Sequence, residues 1–158
     1  MRSIICTLLA EMQVDKSFHG KMRANGICKL TKNMVIGNNV NFNGIKIHGK
    51  GKITIGDNFH SGKNCRVITS THNYNGEKIP YDTTYVHKDV VIEDNVWVGI
   101  DVIILGGVKI GEGAIIQAGS VVVTDILALA IAGGHPARVF SHRNSEHYDK
   151  LKRLGRFH

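Results

Sequence analysis

Residues 95–122 read NVWVGIDVIILGGVKIGEGAIIQAGSVV, and in this stretch an aliphatic residue returns at every sixth position. The repeat positions in and just before it are Ile92, Val98, Ile104, Ile110, Ile116 and Val122. The position four residues later in each unit is mostly small or β-branched, and Gly99 and Gly111 directly follow two repeat positions. A period of six matches neither an amphipathic α-helix nor a long alternating strand. Each unit is therefore predicted to form one short strand and one corner.

The repeat predicts a coiled β-structure around a single aliphatic interior. If three units close a triangular turn, about eighteen residues form one coil, every sixth side chain points inward, and parallel ladders join successive coils. Earlier positions that keep the phase, some in a slightly shifted register, are Ile36, Phe42, Ile55, Val67 and Val86. The regular repeat extends over about residues 34–127. Its aliphatic residues are expected to hold the shape and to carry no chemistry.

The length of 158 residues fits a single domain whose core is large enough to fold without disulfides or a structural metal. We predict three segments within it: an N-terminal packing segment over 1–33, the coil over 34–133, and a basic tail with a short helix over 134–158. Ser145 is the expected helix cap in the tail. The apolar run near the N-terminus is too short to span a bilayer and is expected to pack, with a peripheral membrane anchor as the alternative.

The charge balance favours anionic partners, because 20 Lys and Arg residues face 13 Asp and Glu residues, a formal net charge of +7. Nucleic acid is not expected, since the repeat supplies neither a recognition helix nor interleaved aromatic and basic residues. Weak association with an anionic membrane surface stays open. The three cysteines form no C-x-x-C pair. A zinc site of cysteines or a disulfide framework is therefore not predicted, and a cytoplasmic location fits best.

The repeat is interrupted most strongly by residues 73–85, NYNGEKIPYDTTY. A loop extruded from a rigid coil is a natural place to hold a ligand, and Tyr74, Tyr81 and Asp82 are its candidate substrate-binding residues. His72 stands where the coil gives way to this loop. A neutral imidazole, with an unperturbed pKa of about 6.5, can take a proton from a hydroxyl group near neutral pH. From this one residue alone, a solvent-facing loop histidine is the competing interpretation.

The order of several motifs resembles the sugar and antibiotic acetyltransferases of the hexapeptide-repeat superfamily, which include galactoside, maltose, virginiamycin and capsular-polysaccharide O-acetyltransferases. The motif Ile55-Gly56-Asp57-Asn58 precedes His72 by the family's seventeen residues, counted from Ile55. Asn41-Phe42-Asn43 is similar to the family's N-F-N element. The N-V-W-x-G and G-x-P-A-R-V elements follow in the family's order. The resemblance covers most of residues 36–140.

The resemblance implies an all-β fold, a left-handed parallel β-helix with one extruded loop and a short C-terminal helix. It implies that His72 deprotonates a sugar hydroxyl, which attacks the thioester carbonyl of acetyl-CoA directly, with no acyl-enzyme and no required metal. It also implies that Asn41 orients the sugar, although an asparagine in an internal ladder is an equal alternative. In the family, a backbone N–H group of a neighbouring subunit's coil donates to the oxyanion, and Gly99 is the residue aligned with that donor.

Acetyl-CoA is the co-substrate that the resemblance implies. The residues that it assigns to acetyl-CoA binding are Trp97, Gly99, Ala118, Gly119 and Arg138. Trp97 has a competing role as a plug at a coil corner or subunit seam, and Arg138 as a solvated surface residue. The resemblance further implies a homotrimer with sites between adjacent subunits, acting on a saccharide in surface polysaccharide assembly.

Two departures from the family pattern concern the cofactor and the acceptor. Many relatives read T-K-D-I-P-P near the last coil, where this chain has Val123-Thr124-Asp125-Ile126-Leu127-Ala128, so contacts to the adenylate end of CoA are displaced or missing. The N-terminal helical region of the galactoside and maltose enzymes is largely absent. Asp15 is therefore not assigned the family's acidic acceptor-binding role.

Two other functions belong to the same architecture. A γ-type carbonic anhydrase holds zinc through three histidines at subunit seams, and His48, His60 and His72 recur at twelve residues here. Because twelve residues are two units, each step moves to another face, whereas ligands on one face need steps of eighteen. Two faces could still meet across a trimer seam, so a metal site stays an alternative. A non-catalytic scaffold or binding module is the third possibility.

Overall fold

A computed structural model describes residues 2–15, 18 and 20–158. Its helices are α1 (Arg2–Glu11) and α2 (Ser145–Arg153). The strands are β1 (Met22–Ala24), β2 (Met34–Ile36), β3 (Val40–Asn43), β4 (Lys46–His48), β5 (Ile53–Ile55), β6 (His60–Lys63), β7 (Arg66–Ile68), β8 (Ser70–His72), β9 (Tyr85–His87), β10 (Val90–Ile92), β11 (Trp97–Val98), β12 (Ile103–Leu105), β13 (Lys109–Ile110), β14 (Ile115–Ile116), β15 (Val121–Val122), β16 (Ala130–Gly134) and β17 (Ala137–His142).

The strands form a parallel solenoid with three faces. The wide face is the seven-stranded sheet β1-β3-β6-β11-β14-β16-β17. The first narrow face contains β2, β5, β10 and β13, and the second narrow face contains β4, β7, β12 and β15. In each coil the chain passes from the first narrow face to the wide face and then to the second narrow face. Trp97 pairs with Ile115, eighteen residues later, so the predicted fold class and coil length are confirmed.

The interior is the aliphatic column that the repeat predicted. Each of the six repeat positions from Ile92 to Val122 is at most 1% exposed. Val86 is the exception among the positions placed in phase, because it lies on β9 outside the coil and is 37% exposed. Strand β10 re-enters the coil four residues later, and Val90 and Ile92 take the buried positions. The phase at Val86 was therefore wrong, since the extruded segment is longer than the repeat suggested.

Asparagines shape one corner of the solenoid. Asn39, Asn58 and Asn95 have φ values of 56°, 56° and 60°, the left-handed region that asparagine tolerates better than most residues. Their side chains form a ladder in which Asn39 Nδ2 donates to Asn58 Oδ1 and Asn58 Nδ2 donates to Asn95 Oδ1, each at 2.8 Å. Each side-chain amide thus donates a hydrogen bond to the next one along the axis of the solenoid.

The N-terminal helix covers the first coil. Cys6 and Ala10 of α1 are buried, and β1 pairs with β3 in parallel before the regular repeat begins. The opposite side of α1 leaves Ile4, Ile5, Leu8 and Leu9 exposed, and Met12, directly after the helix, is exposed too. Within the described residues, no helix has the length and apolar character needed to cross a bilayer.

The C-terminal helix begins where the tail was predicted to be helical, with a different cap. Asn144, with φ −67° and ψ 114°, accepts a hydrogen bond from the His147 N–H at 2.8 Å. Ser145 is instead the first helical residue, so its predicted capping role was wrong. An asparagine carbonyl at the N-cap position reaches the free N–H of the first turn, which is why Asn144 ends the preceding loop.

Candidate active site

The loop over 73–84 leaves the solenoid as a hairpin between β8 and β9. These strands are antiparallel, and His72 lies opposite Tyr85 in their register. The hairpin follows β7 of the second narrow face and precedes β10 of the first. It therefore stands on the edge between the two narrow faces, away from the wide face.

The loop is held by its own hydrogen bonds, with Asp82 at the centre. One carboxylate oxygen of Asp82 accepts from the Thr84 N–H at 2.8 Å and from the Thr84 hydroxyl, and the other accepts from the Glu77 N–H at 3.3 Å. The hydrogen bonds from Thr84 hold the pKa of this carboxyl below its usual range. A Cβ on Gly76 would meet the same carboxylate at 1.9 Å, so any larger residue here would displace Asp82 from these contacts. Asp82 organises the loop, and its predicted contact with substrate stays a prediction.

Two tyrosines of the hairpin position the His72 ring. The Tyr81 ring stacks on it with centroids 3.9 Å apart and an interplanar angle of 16°, and the Tyr85 ring lies tilted at 4.5 Å. All three side chains are exposed, and no hydrogen bond to the His72 imidazole comes from the described part of the chain. The stack fixes the plane of the ring and leaves its nitrogens free for a ligand. Tyr74 is 75% exposed on the same loop.

A second histidine at the base of the hairpin was missed by the sequence analysis. His87 Nδ1 lies 2.6 Å from the Ser70 hydroxyl, and the same hydroxyl accepts from the Lys50 N–H at 2.9 Å. These contacts tie the hairpin to the preceding coil. The alternation of Tyr85 and His87 within a β-strand was the available signal, but it required the pairing of β9 with β8.

The outer surface of the wide face carries Asn41, His60 and Trp97 in one row. His60 pairs in register with Asn41 on one side and with Trp97 on the other. Asn43 Nδ2 lies 3.3 Å from His60 Nε2. Burial, with a smaller contribution from His158, holds the pKa of His60 below its ordinary value. From the sequence, His60 was predicted only as a possible metal ligand, because its place between Asn41 and Trp97 depends on the register.

Small residues line the edge between the wide face and the second narrow face. A Cβ on Gly62 would lie 2.5 Å from the Gly99 carbonyl carbon, and a Cβ on Gly99 would lie 2.6 Å from the Ala118 nitrogen. Successive backbones therefore touch here. Ala118 and Gly119 are exposed, and Gly119 has a φ of 70°. This edge offers backbone groups to a thin, extended ligand without obstruction by side chains.

The geometry corrects the role predicted for the Gly99 backbone. Its N–H donates to the Ile116 carbonyl at 2.8 Å within the parallel ladder. It is not available to an oxyanion, because this hydrogen bond is part of the coil. A contact between Gly99 and a cofactor stays a prediction that rests on its position at the edge.

Residues 123–128, which depart from the family pattern, still take part in the coil. Ile126 is buried and forms a parallel bridge with Ile110, and Asp125 Oδ1 accepts from the Lys109 N–H at 2.8 Å. Leu127 is 72% exposed. Arg138 is exposed on β17, where its guanidinium donates to the Ala137 carbonyl at 2.9 Å.

The predicted site residues thus form two groups within one chain. Asn41 and Trp97 lie on the wide face, and Gly99 and Ala118 lie at its edge, whereas His72 stands with the loop on the opposite edge. The triangular section of the solenoid keeps the two groups apart in a single chain.

The three histidines spaced by twelve residues do not converge. His48 lies on the second narrow face, His60 on the wide face and His72 in the hairpin. Among the described residues, no three His, Cys, Asp or Glu side chains are grouped so that they could hold a metal ion. The cysteines Cys6, Cys28 and Cys65 are free and buried.

A cavity of about 480 Å³ lies between the wide face and the C-terminal segment. We call it the tail cavity. The residues that line it are Asn58, His60, Asn95, Val96, Trp97, Arg143, Tyr148, Leu151, Lys152, Arg156, Phe157 and His158. This cavity could not be predicted from the sequence, because its two walls are brought together only when α2 folds back.

Comparisons with known proteins agree with the geometry of the coil. Residues 89–124 match the family described as bacterial transferase hexapeptide (six repeats). A Saccharomyces cerevisiae protein, provisionally named an acetyltransferase, is 38% identical over 114 residues, which are 71% of this chain and 57% of that protein. The chain spans about half the length of the curated relatives it matches.

Two solved structures extend the similarity to most of the chain. The hexapeptide-repeat acetyltransferase of Vibrio cholerae, complexed with acetyl-CoA, is 30% identical, with a TM-score of 0.66 over 84% of this chain and 70% of that chain. A galactoside acetyltransferase in complex with coenzyme A is also 30% identical, with a TM-score of 0.66 over 92% of this chain and 70% of that chain.

Proposed function

Because this chain belongs to the hexapeptide-repeat family of bacterial transferases, we propose that it transfers an acetyl group from acetyl-CoA to a hydroxyl group of a saccharide. The observation that carries this proposal is the placement of His72. Its exposed imidazole stands at the root of an ordered loop, clamped by Tyr81 and open at its nitrogens. A neutral imidazole in this position can take the proton of an acceptor hydroxyl.

In the proposed reaction the acceptor oxygen attacks the thioester carbonyl carbon while its proton passes to His72. The C–S bond then breaks, and the imidazolium returns the proton to the leaving CoA thiolate. The products are an acetyl ester and free CoA, and no acyl-enzyme is formed. The tetrahedral intermediate needs a hydrogen-bond donor for its oxyanion. A corner N–H outside the parallel ladder has to provide it, since the Gly99 N–H is occupied.

The site is proposed to lie between two copies of the chain in a homotrimer. The separation of His72 from the wide face supports this arrangement, because only a second copy can bring His72 to Asn41 and Trp97. The edge formed by Gly99, Ala118 and Gly119 would accept the pantetheine arm, with Arg138 available to a phosphate. Closed rotational symmetry would repeat the same contact at each seam.

The acceptor is proposed to be a saccharide of surface polysaccharide assembly. The aromatic rings of Tyr74 and Tyr81 offer surfaces on which a sugar ring can pack, and Asn41 can both donate to and accept from sugar hydroxyls. The galactoside acetyltransferase to which the chain is similar supports this class of acceptor.

The first test is calorimetric titration of the protein with acetyl-CoA and with free CoA, followed by an assay of CoA thiol release with candidate saccharides. We expect saturable binding close to one site per chain. His72→Ala should lower turnover by about 10²- to 10⁴-fold with unchanged cofactor affinity. His147→Ala, which removes an exposed imidazole from α2, serves as the control and should be neutral.

Two results would overturn the proposal. Absence of CoA binding up to millimolar concentration would favour a scaffold or binding module. Near-normal turnover of His72→Ala on its true acceptor would remove this histidine from the mechanism.

A further inference from the structure

We propose that the tail cavity binds the nucleotide part of a nucleotide-linked sugar, and that such a sugar is the acceptor of the acetyl group. The binding site is inferred from the cavity itself. Its identification as an acceptor site rests on the function proposed above.

The cavity has the size and the walls of a small-molecule site. Its volume of about 480 Å³ lies within the range of ligand pockets in proteins. The wide face supplies His60 and Trp97, which are neighbours in register. The C-terminal segment supplies Leu151 of α2 and, beyond the helix, Phe157.

Two aromatic surfaces in the cavity are available to a planar ring. Trp97 is 51% exposed and Phe157 is 46% exposed. The His60 and His158 rings lie beside them, with centroids 5.7 Å apart. Nucleobases stack on such side chains whatever their hydrogen-bonding pattern, because every base has a π-face. The cavity therefore offers a stacking surface to a heterocyclic base.

The charge of the lining favours an anion attached to that ring. Arg143, Lys152 and Arg156 line the cavity, and none of the described side chains that line it is acidic. Lys152 is paired with Glu112, which lies outside the lining, and Arg143 Nε donates to the Gly113 carbonyl at 2.6 Å. Arg156 enters no salt bridge among the described residues. A guanidinium can bind a phosphate through two parallel hydrogen bonds.

A row of side chains on the wide face leads from this cavity to the proposed acceptor position at Asn41. Trp97, His60 and Asn41 follow one another across adjacent strands. A base stacked on Trp97 would place its diphosphate-linked sugar near His60, toward Asn41. The cavity would then bind the nucleotide end of the molecule, and the amide of Asn41 would bind its sugar end.

CoA also carries a purine and phosphates, so the experiment must separate it from a nucleotide-linked sugar. Trp97 is the single tryptophan of the chain, and its emission reports directly on the cavity. We would titrate UDP, dTDP, GDP and ADP into the protein, first alone and then with saturating free CoA. Glucose 1-phosphate serves as the probe that carries phosphate without a base.

We expect at least one nucleoside diphosphate to give a saturable change in Trp97 emission that persists with CoA bound, and glucose 1-phosphate to give none. Arg156→Gln should weaken binding at least tenfold, and Arg156→Lys should weaken it less, because lysine keeps the charge but not the paired hydrogen bonds. Lys150→Gln, on α2 outside the lining, is the matched control and should bind normally. Equal thermal midpoints of these variants would show that the fold is intact.

The proposal is overturned if no nucleotide changes the emission, or if glucose 1-phosphate binds as well as the nucleotides. Displacement of the nucleotide by stoichiometric CoA would assign the cavity to the cofactor and refute the acceptor assignment. Failure of the acetyl transfer is seen separately, as absent CoA binding or as unchanged turnover of His72→Ala.

Discussion

His72 is oriented by aromatic rings, whereas catalytic bases are commonly oriented by a hydrogen-bonded third group. The stack with Tyr81, at 3.9 Å between centroids, restrains the plane of the imidazole but donates and accepts nothing. The loop that carries Tyr81 is in turn held by Asp82 and its contacts to Thr84. The orientation of the His72 imidazole therefore depends on the folding of an exposed loop.

This dependence gives a prediction for Tyr81. Tyr81→Ala should reduce kcat by about 10- to 100-fold, because loss of the stack lets the imidazole leave its productive position. Tyr81→Phe keeps the ring and should retain most of the activity. Steady-state kinetics on both variants checks this, with KM for acetyl-CoA expected to stay constant. If the phenylalanine variant loses as much activity as the alanine variant, the hydroxyl and not the stack is what matters.

At the scale of elements, α2 is anchored to the coil through the end of the asparagine ladder. Asn95 Nδ2 donates to the Tyr148 hydroxyl at 2.8 Å, and that hydroxyl donates to Glu112 Oε1 at 2.8 Å. Lys152 binds the same carboxylate oxygen. Burial alone would raise the pKa of the Glu112 carboxyl, but the hydrogen bonds from Lys152 and Tyr148 outweigh it and hold the pKa below its usual range.

The docking of α2 should therefore depend on acid pH. A carboxyl whose pKa is depressed in the folded state contributes stability above its unfolded pKa, about 4.5, and that contribution is lost as the pH falls through the folded value. We expect amide exchange of α2 to accelerate below about pH 4.5 relative to the coil. Glu112→Gln should dock less well at pH 7 and lose this additional acid sensitivity. Identical acid profiles for the two proteins would show that Glu112 does not hold the helix.

At the scale of the whole molecule, the chain carries two halves of the proposed site that it cannot join by itself. The hairpin with His72 occupies the edge between the narrow faces, and Asn41 with Trp97 occupies the wide face. A stiff solenoid, whose coils are joined by parallel ladders, offers no hinge that would bring them together. Assembly is therefore expected to be a condition of activity.

Mixing two inactive variants tests this expectation. His72→Ala and Asn41→Ala chains should each be nearly inactive, and their co-expressed mixture should recover about one quarter of wild-type activity. In a randomly mixed oligomer, each seam then has an even chance of an intact His72 and an even chance of an intact Asn41. Either variant mixed with itself is the control. A mixture as inactive as its parents would place the whole site within one chain.

Much of the architecture was predictable from the chain because burial in a solenoid is periodic. Every sixth residue faces the interior, so the column from Ile92 to Val122 is recognisable without knowledge of any distant contact. The break before Tyr85 was visible for the same reason. Val86 is an exception, because it stands six residues before Ile92 by coincidence and lies on an exposed strand of the hairpin.

The three-sided coil, its interior and the place where a loop leaves it follow from a local period in side-chain polarity, so they could be predicted without any knowledge of the folded chain. The folded chain was needed to see that Tyr81 stacks on His72, that the Gly99 N–H is bound within the ladder, and that α2 closes a cavity over His60 and Trp97. The stack joins two residues of one irregular loop, the Gly99 hydrogen bond joins two successive coils, and the cavity joins α2 to residues far from it in the chain. They depend on strand register and on the path of the tail, which a six-residue period does not encode.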